Sequence, residues 1–276
     1  MNNTTINTTK GKLDLGDGQL YYEVAGEGTP LVLTHAAFLD SRMFDAIWEP
    51  LAQNFRVIRY DMMGFGQSSP VTGPRCRRDD LNQLLDHLSV TRAHLAGCSN
   101  GGQISLDLAL EQPDRVASLT LVDSTPSGFE PQGTPPRYMF EMFDALQRGD
   151  IAYGNELQIR IWLDSEHRNP EQVDPELRQK ALEMNHIAVS QGTFFIADMQ
   201  PARPLDPPGL TCLESVACPT LVVAGSYENA EILRSADEMV NRIPNARKAI
   251  IEGTGHVPSY EKPNEFLQLL REFLNV

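Results

Sequence analysis

Ser99 is the side chain whose neighbours best equip it for chemistry. It stands in Gly97-Cys98-Ser99-Asn100-Gly101, directly after the short apolar run AHLA and directly before the helical pattern of residues 100–111. A G-x-S-x-G between a strand and a helix permits a sharp, strained turn that lifts the serine hydroxyl clear of the backbone. The helix that starts behind it offers unpaired N–H groups and the positive end of its dipole. A hydroxyl placed this way suits attack on a carbonyl carbon. It then needs a base, a group that orients the base, and donors for the developing oxyanion.

The base is best sought among the six histidines. His256 lies in Glu252-Gly253-Thr254-Gly255-His256, a glycine-rich loop after the last apolar run. The others read more plainly. His87 and His94 flank a helix end and a strand start, His167 and His186 fall in a helical region, and His35 reads as a loop anchor. The orienting carboxylate is assigned to Glu228, just past the run TLVVA, which gives the chain order serine, acid, histidine. Asp123, which ends VASLTLVD, is the rival, although an Asp there can instead brace the sheet edge. Asp61 precedes the serine and reads as a turn residue. The backbone N–H of Asn100 is one expected oxyanion donor, and Ala37, with Phe38 next, is the expected second. Cys98, one residue before the serine, is expected to point into the sheet as an inert buried thiol.

These residues need elements to hold them. Strand patterns occur at 19–24, 31–34, 56–60, 93–96, 116–122, 220–224 and 249–251. Helical patterns lie at 42–53, 79–88, 100–111, 231–243 and 264–274. Strand and helix in alternation predict an α/β fold with a mostly parallel central sheet flanked by helices. The alternation breaks between about 124 and 209, where no convincing strand occurs. There Met139, Phe140, Phe143 and Leu146 share a helical face that Gly149 can end, and Asp174-Pro175 opens a further helix over 176–184. This reads as an all-helical insertion whose Met and Phe side chains form either its own core or a face over a cavity.

Composition limits the remaining possibilities. Of 276 residues, 41% are hydrophobic and 22% charged, ordinary soluble globular usage. Such a length buries about three quarters of the unfolded surface and needs no disulfide or metal staple. The 23 basic and 37 acidic residues leave a net charge of −14, which repels nucleic acid and anionic membranes, favours solubility and says little about a neutral small-molecule substrate. Cys76, Cys98, Cys212 and Cys218 show neither a CxxC nor a zinc spacing, so free thiols in a reducing cytoplasm are expected and no metal. No run is long enough to span a bilayer, and the first residues lack a signal-peptide core. The N-x-T triplets at Asn2, Asn3 and Asn7 read as part of a polar, frayed tail. No phosphate loop or intact GxGxxG occurs, and no cofactor is implied. The oligomeric state stays open.

Taken together, LVLTHAAFLDSRMFD, VIRYDMMGFGQSS, AGCSNGG, PTLVVAGSYEN and EGTGHVPSYEKPNEF resemble the α/β-hydrolase superfamily across nearly the whole chain. The resemblance implies an α/β-hydrolase fold, with residues 1–124 and 210–276 as the core domain and 125–209 as an inserted helical cap domain. It implies Ser99, His256 and Glu228 as a catalytic triad. Two departures stand out: His35-Ala36 where the family usually has His-Gly, and Glu228 where it usually has Asp. Serine at the elbow argues against the haloalkane dehalogenase and epoxide hydrolase branches, which use aspartate there. The expected function is hydrolysis of a small, fairly apolar ester or lactone through an acyl-enzyme on Ser99. Phe38, Met139, Phe140, Phe143 and Trp162 are the expected substrate-binding side chains. Three alternatives remain open: carbon–carbon bond hydrolysis of a β-diketone type by the same triad, a ligand receptor with a vestigial triad, and cofactor-free peroxidase or oxygenase chemistry.

Overall fold

Short apolar runs alternating with amphipathic stretches set the architecture. The computed structural model describes residues 7–199 and 201–276, so the readings at Asn2 and Asn3 lie outside the described residues. The chain begins with β1 (Thr8–Asp14), β2 (Gln19–Ala25) and β3 (Pro30–Thr34), then α1 (Asp45–Ala52) and β4 (Arg56–Tyr60). Next come α2 (Arg77–His87), β5 (Ala93–Cys98), α3 (Asn100–Glu111) and β6 (Val116–Val122). Three helices follow: α4 (Met139–Gln147), α5 (Ile151–Ile159) and α6 (Pro175–Ser190). The chain closes with β7 (Thr220–Gly225), α7 (Ala230–Arg242), β8 (Ala246–Ile251), α8 (Pro258–Glu261) and α9 (Pro263–Leu274).

One eight-stranded sheet has the order β1-β2-β4-β3-β5-β6-β7-β8. β1 and β2 pair antiparallel, as do β2 and β4, and every other pair is parallel. One face is covered by α1 and α9 through Ile47, Leu51, Phe266 and Leu270. The other is covered by α2, α3 and α7 through Leu81, Leu84, Leu108 and Met239. Each such side chain contributes about 1.5–3 kcal/mol on burial, which makes the sheet a stiff base for the loops at its edge.

Three differences from the sequence reading have local causes. From Thr8 onward the polar segment read as a tail is an edge strand, with Thr8 opposite Ala25 and Asp14 opposite Gln19. No residue of β1 is fully buried, so it lacks the apolar alternation that marks a strand. Lys10 and Lys12 are charges of the kind that keep an open edge from pairing further. β8 starts at Ala246, earlier than its apolar run, because Ala246, Arg247 and Lys248 pair with Thr220, Leu221 and Val222. The stretch between β6 and β7 holds one helix more than the two read from sequence, α5, started by Asp150 accepting from the N–H of Tyr153 at 3.2 Å. A π-helical turn, Arg160–Asp164, continues it, and a second spans Phe194–Asp198. Among the described residues this stretch contains no strand. It is fastened to the sheet side by Thr193, whose hydroxyl donates to the carbonyl of Gly64 at 2.8 Å, and by Asp198 against Arg77 at 2.9 Å. Among the described residues no helix is long and apolar enough to cross a membrane.

Candidate active site

Parallel register brings the strand ends level. Thr34 pairs with Gly97, Cys98 with Val122, Val122 with Val223, and Gly225 with Ile251. The loops after β3, β5, β7 and β8 therefore open on one edge of the sheet.

At the centre, Ser99 adopts φ 55° and ψ −120° between β5 and α3. This is a region that non-glycine residues rarely occupy. Its neighbours explain how the turn closes. A Cβ on Gly97 would lie 2.2 Å from the carbonyl oxygen of Gly101, and one on Gly101 would lie 2.3 Å from that of Thr34. The N–H of Ser99 donates to Val122 at 2.7 Å, so the strained residue is still held by the sheet.

The hydroxyl of Ser99 lies 2.7 Å from Nε2 of His256. Nδ1 of His256 is hydrogen-bonded to Oε2 of Glu228. An ionised carboxylate only accepts, so Nδ1–H donates to it and Nε2 is left to accept the serine proton. The other carboxylate oxygen, Oε1, accepts from the N–H of Asn229 at 2.6 Å. His256 and Glu228 are 4% and 5% exposed, which shields this chain of bonds from competing water. Asp123 does something else. Its two carboxylate oxygens accept from the N–H of Gly225 at 3.2 and 3.1 Å. Burial, and then the charge of Glu228, push its carboxyl well above the usual range.

Ser99, His256, Ala37, Phe38 and Asn100 wall a chamber of about 250 Å³. Among the described residues, the backbone N–H groups of Ala37, Phe38 and Asn100 have no protein acceptor. The loop carrying Ala37 is anchored by His35, which is fully buried. His35 donates from Nδ1 to the carbonyl of Ala36 at 2.9 Å and accepts at Nε2 from the N–H of Met62 at 2.9 Å. Burial lowers its pKa, which keeps the ring neutral as this pattern requires. Cys98 is buried, its thiol pushed well up by burial, and it donates to the backbone carbonyl of His256 at 3.5 Å.

A second, apolar cavity of about 180 Å³ adjoins the first, and Ala37, Gln158, Trp162 and Phe194 wall both. Met139 and Phe143 also line it, with Phe143 packed 6.0 Å from the rings of Phe194 and Phe195. Phe140 requires a correction: it is 75% exposed and lines neither cavity. With Met139, Met142, Phe143 and Leu146 in the cavity wall, a helix turning about 100° per residue puts position 140 at the solvent border of that face. Trp162 serves both cavities and the histidine. Its carbonyl accepts from the N–H of His256 at 3.2 Å, and its ring centroid lies 4.7 Å from the imidazole.

Several residues here escaped the sequence reading. Gln158, Asn185, Phe194 and Phe195 line the apolar cavity. The pair Phe194-Phe195 after Gly192-Thr193 was a readable aromatic signal. Arg168 and Glu261 form a nearly buried ion pair of 2.6 Å behind the histidine loop. Glu261 accepts from the N–H of Gly255 at 2.7 Å, while Arg168 donates to the carbonyls of Gly253 and Leu163 at 3.3 and 2.6 Å. The guanidinium also lies 5.6 Å from the ring centroid of Tyr227, the residue before Glu228. This pairing joins remote segments and left no local mark in the sequence.

Comparison with known proteins agrees with this architecture. Residues 29–263 match the family described as alpha/beta hydrolase fold. A provisionally named carbamate hydrolase, RutD, of Azorhizobium caulinodans is 29% identical over 94% of this chain and 96% of its own length. A pimeloyl-[acyl-carrier protein] methyl ester esterase of Nitrosomonas europaea is 26% identical over 90% of this chain and 96% of its own. Among solved structures, Est816, titled an N-acyl homoserine lactone degrading enzyme, superposes with a TM-score of 0.76 at 27% identity, covering 95% of this chain and all of its own. The parallel sheet, the serine turn after β5 and a match running from β3 to the start of α9 lead to one assignment: the chain belongs to the alpha/beta hydrolase fold family.

Proposed function

We propose that this protein hydrolyses a small, fairly apolar carboxylic ester or lactone through an acyl-enzyme on Ser99. The observation that carries the reading is the unbroken line Ser99 Oγ, His256, Glu228 at the floor of a chamber. His256 takes the serine proton as Oγ attacks the carbonyl carbon, and Glu228 holds the Nδ1–H tautomer and offsets the imidazolium charge. The N–H groups of Ala37 and Asn100 stabilise the tetrahedral oxyanion. His256 then protonates the leaving alcohol, and on deacylation it removes a proton from the attacking water. Residues 125–209 act as a cap domain over residues 1–124 and 210–276. Met139, Phe143, Trp162 and Phe38 receive the apolar part of the substrate.

The test is Ser99→Ala, assayed on short-chain p-nitrophenyl esters and with a fluorophosphonate probe. Turnover should fall by about 10³-fold or more, labelling should vanish, and the melting curve should be unchanged. Full activity in Ser99→Ala refutes the serine mechanism. Wild-type protein that is neither labelled nor active on esters leaves the ligand-receptor reading.

A further inference from the structure

The apolar cavity contains one polar pair whose hydrogen bonds are incomplete. Of the fourteen described residues that line it, only Gln158, Asn185 and Thr193 carry a polar side chain other than the indole of Trp162. Thr193 spends its hydroxyl proton on the carbonyl of Gly64. Gln158 on α5 and Asn185 on α6 bond to each other, Nδ2 of Asn185 donating to Oε1 of Gln158 at 3.1 Å. Asn185 is 1% exposed, and its Oδ1 has no partner among the described residues. Leaving such an acceptor unpaired in an apolar wall costs about 1–3 kcal/mol.

The arithmetic of the pair does not depend on how either amide is turned. Two carboxamides that share one hydrogen bond use one donor and one acceptor between them. One side chain is left with a free carbonyl oxygen and the other with a free NH₂ group, whichever orientation holds. Holding the helices together does not account for the pair, because Asn155, one turn earlier on α5, already donates to the carbonyl of Leu182 on α6 at 3.0 Å. Asn155 lies outside the cavity wall, whereas Gln158 faces both the apolar cavity and the chamber of Ser99.

We infer that Gln158 and Asn185 are specificity-determining residues that recognise a secondary amide within an otherwise apolar acyl chain. The inference rests on the reading of Ser99 as the nucleophile of an ester-cleaving centre. The two free functions belong to different side chains, so they call for a donor and an acceptor on neighbouring atoms, as the N–H and C=O of an amide supply. The apolar wall around them takes the rest of the chain and makes the unpaired amides selective. A plain alkyl chain fills the cavity but leaves both functions orphaned, whereas an amide-bearing chain satisfies them.

The test uses p-nitrophenyl octanoate beside three esters of the same chain length with an amide at successive positions: N-butanoyl-β-alaninate, N-propanoyl-4-aminobutanoate and N-acetyl-5-aminopentanoate. At one position the amide ester should exceed octanoate in kcat/KM by about tenfold or more, as two added neutral hydrogen bonds allow. In Gln158→Leu/Asn185→Leu, which removes both partners and leaves no orphan, that ratio should collapse and invert in favour of octanoate. Gln158→Leu alone should move it the same way if the double variant folds poorly. Methyl esters of the same acids, titrated into Ser99→Ala, read the preference without turnover. Ser99-dependent hydrolysis of octanoate with no amide advantage at any position, or a ratio unmoved by the leucine variants, overturns the amide assignment and leaves the ester reading intact. An amide preference in binding without turnover of any ester overturns the ester reading alone.

Discussion

The loop edge of the sheet and the helical stretch between β6 and β7 solve opposite problems. At the sheet edge, Ser99 and Asp123 are both held at positive φ, 55° and 43°, and Ser99, His256 and Glu228 are paired in an unbroken line. Strained backbone persists only where its surroundings over-determine it, and here neighbouring parallel strands do so. In the helical stretch the helices slacken into two π-turns, and Phe194, Phe195 and Met199 stay 42%, 36% and 57% exposed. Among the described residues, Asn155, Asn185 and Gln191 each keep a buried oxygen without a partner, as Asn100 does at the sheet edge. On the proposed function, alignment of the reacting atoms falls to the strained, sheet-held region and choice of substrate to the helical one.

The sharpest way to break that division is at the two carboxylates of the sheet edge. Glu228→Gln should lower kcat on a short p-nitrophenyl ester by about 10⁴, because the amide no longer holds the imidazole in the required tautomer. Asp123→Asn keeps an acceptor for the N–H of Gly225 and should cost no more than about tenfold. Steady-state kinetics on both variants, with melting curves as controls, decide the matter. Full activity in the first and collapse in the second would move the orienting role to the end of β6.

A smaller effect is expected where the two regions are bolted together. Arg168→Met strands the carboxylate of Glu261 in a buried site, a loss of roughly 3 kcal/mol, or a fall in melting temperature of about 6–12 °C. Turnover well below the melting range should also fall, since Glu261 holds the N–H next to His256, and Arg168→Lys should restore part of it. Unaltered kcat alongside the lowered melting point would reduce this ion pair to a stabilising role.

The mildest change lies inside the helical stretch. Phe143→Ala should shift the preferred acyl length, read from kcat/KM across a series of p-nitrophenyl esters, while the melting point moves by only a few degrees. Phe143 stands in a cavity wall, and truncation in a filled core would cost about 3–5 kcal/mol. An unchanged preference with a large melting loss would make these aromatics mere packing.

The sheet edge was legible because its requirements are local. Gly97 and Gly101 mark where backbones nearly touch, and Gly253 and Gly255 mark the loop that delivers His256. Glu228 was legible as a carboxylate at a strand end, whereas its bond to His256 and that of Asp123 to Gly225 join remote segments and are seen only in the geometry. β1 stayed hidden because an edge strand exposed on both faces carries no alternation. Phe140 was misplaced because the period of a helix defines a face but not its border. Gln158 and Asn185 meet across two helices, and each alone reads as an ordinary polar helix residue.

The hold that the helical stretch keeps on His256 has a consequence for redesign. The carbonyl of Trp162 and the guanidinium of Arg168 originate within residues 125–209 yet terminate on the histidine loop. Grafting that stretch from a relative would import a new pocket and at the same time remove two supports of the imidazole. A chimera of this kind should therefore lose rate on every substrate, including those its new pocket fits, unless an equivalent carbonyl and cation travel with the graft.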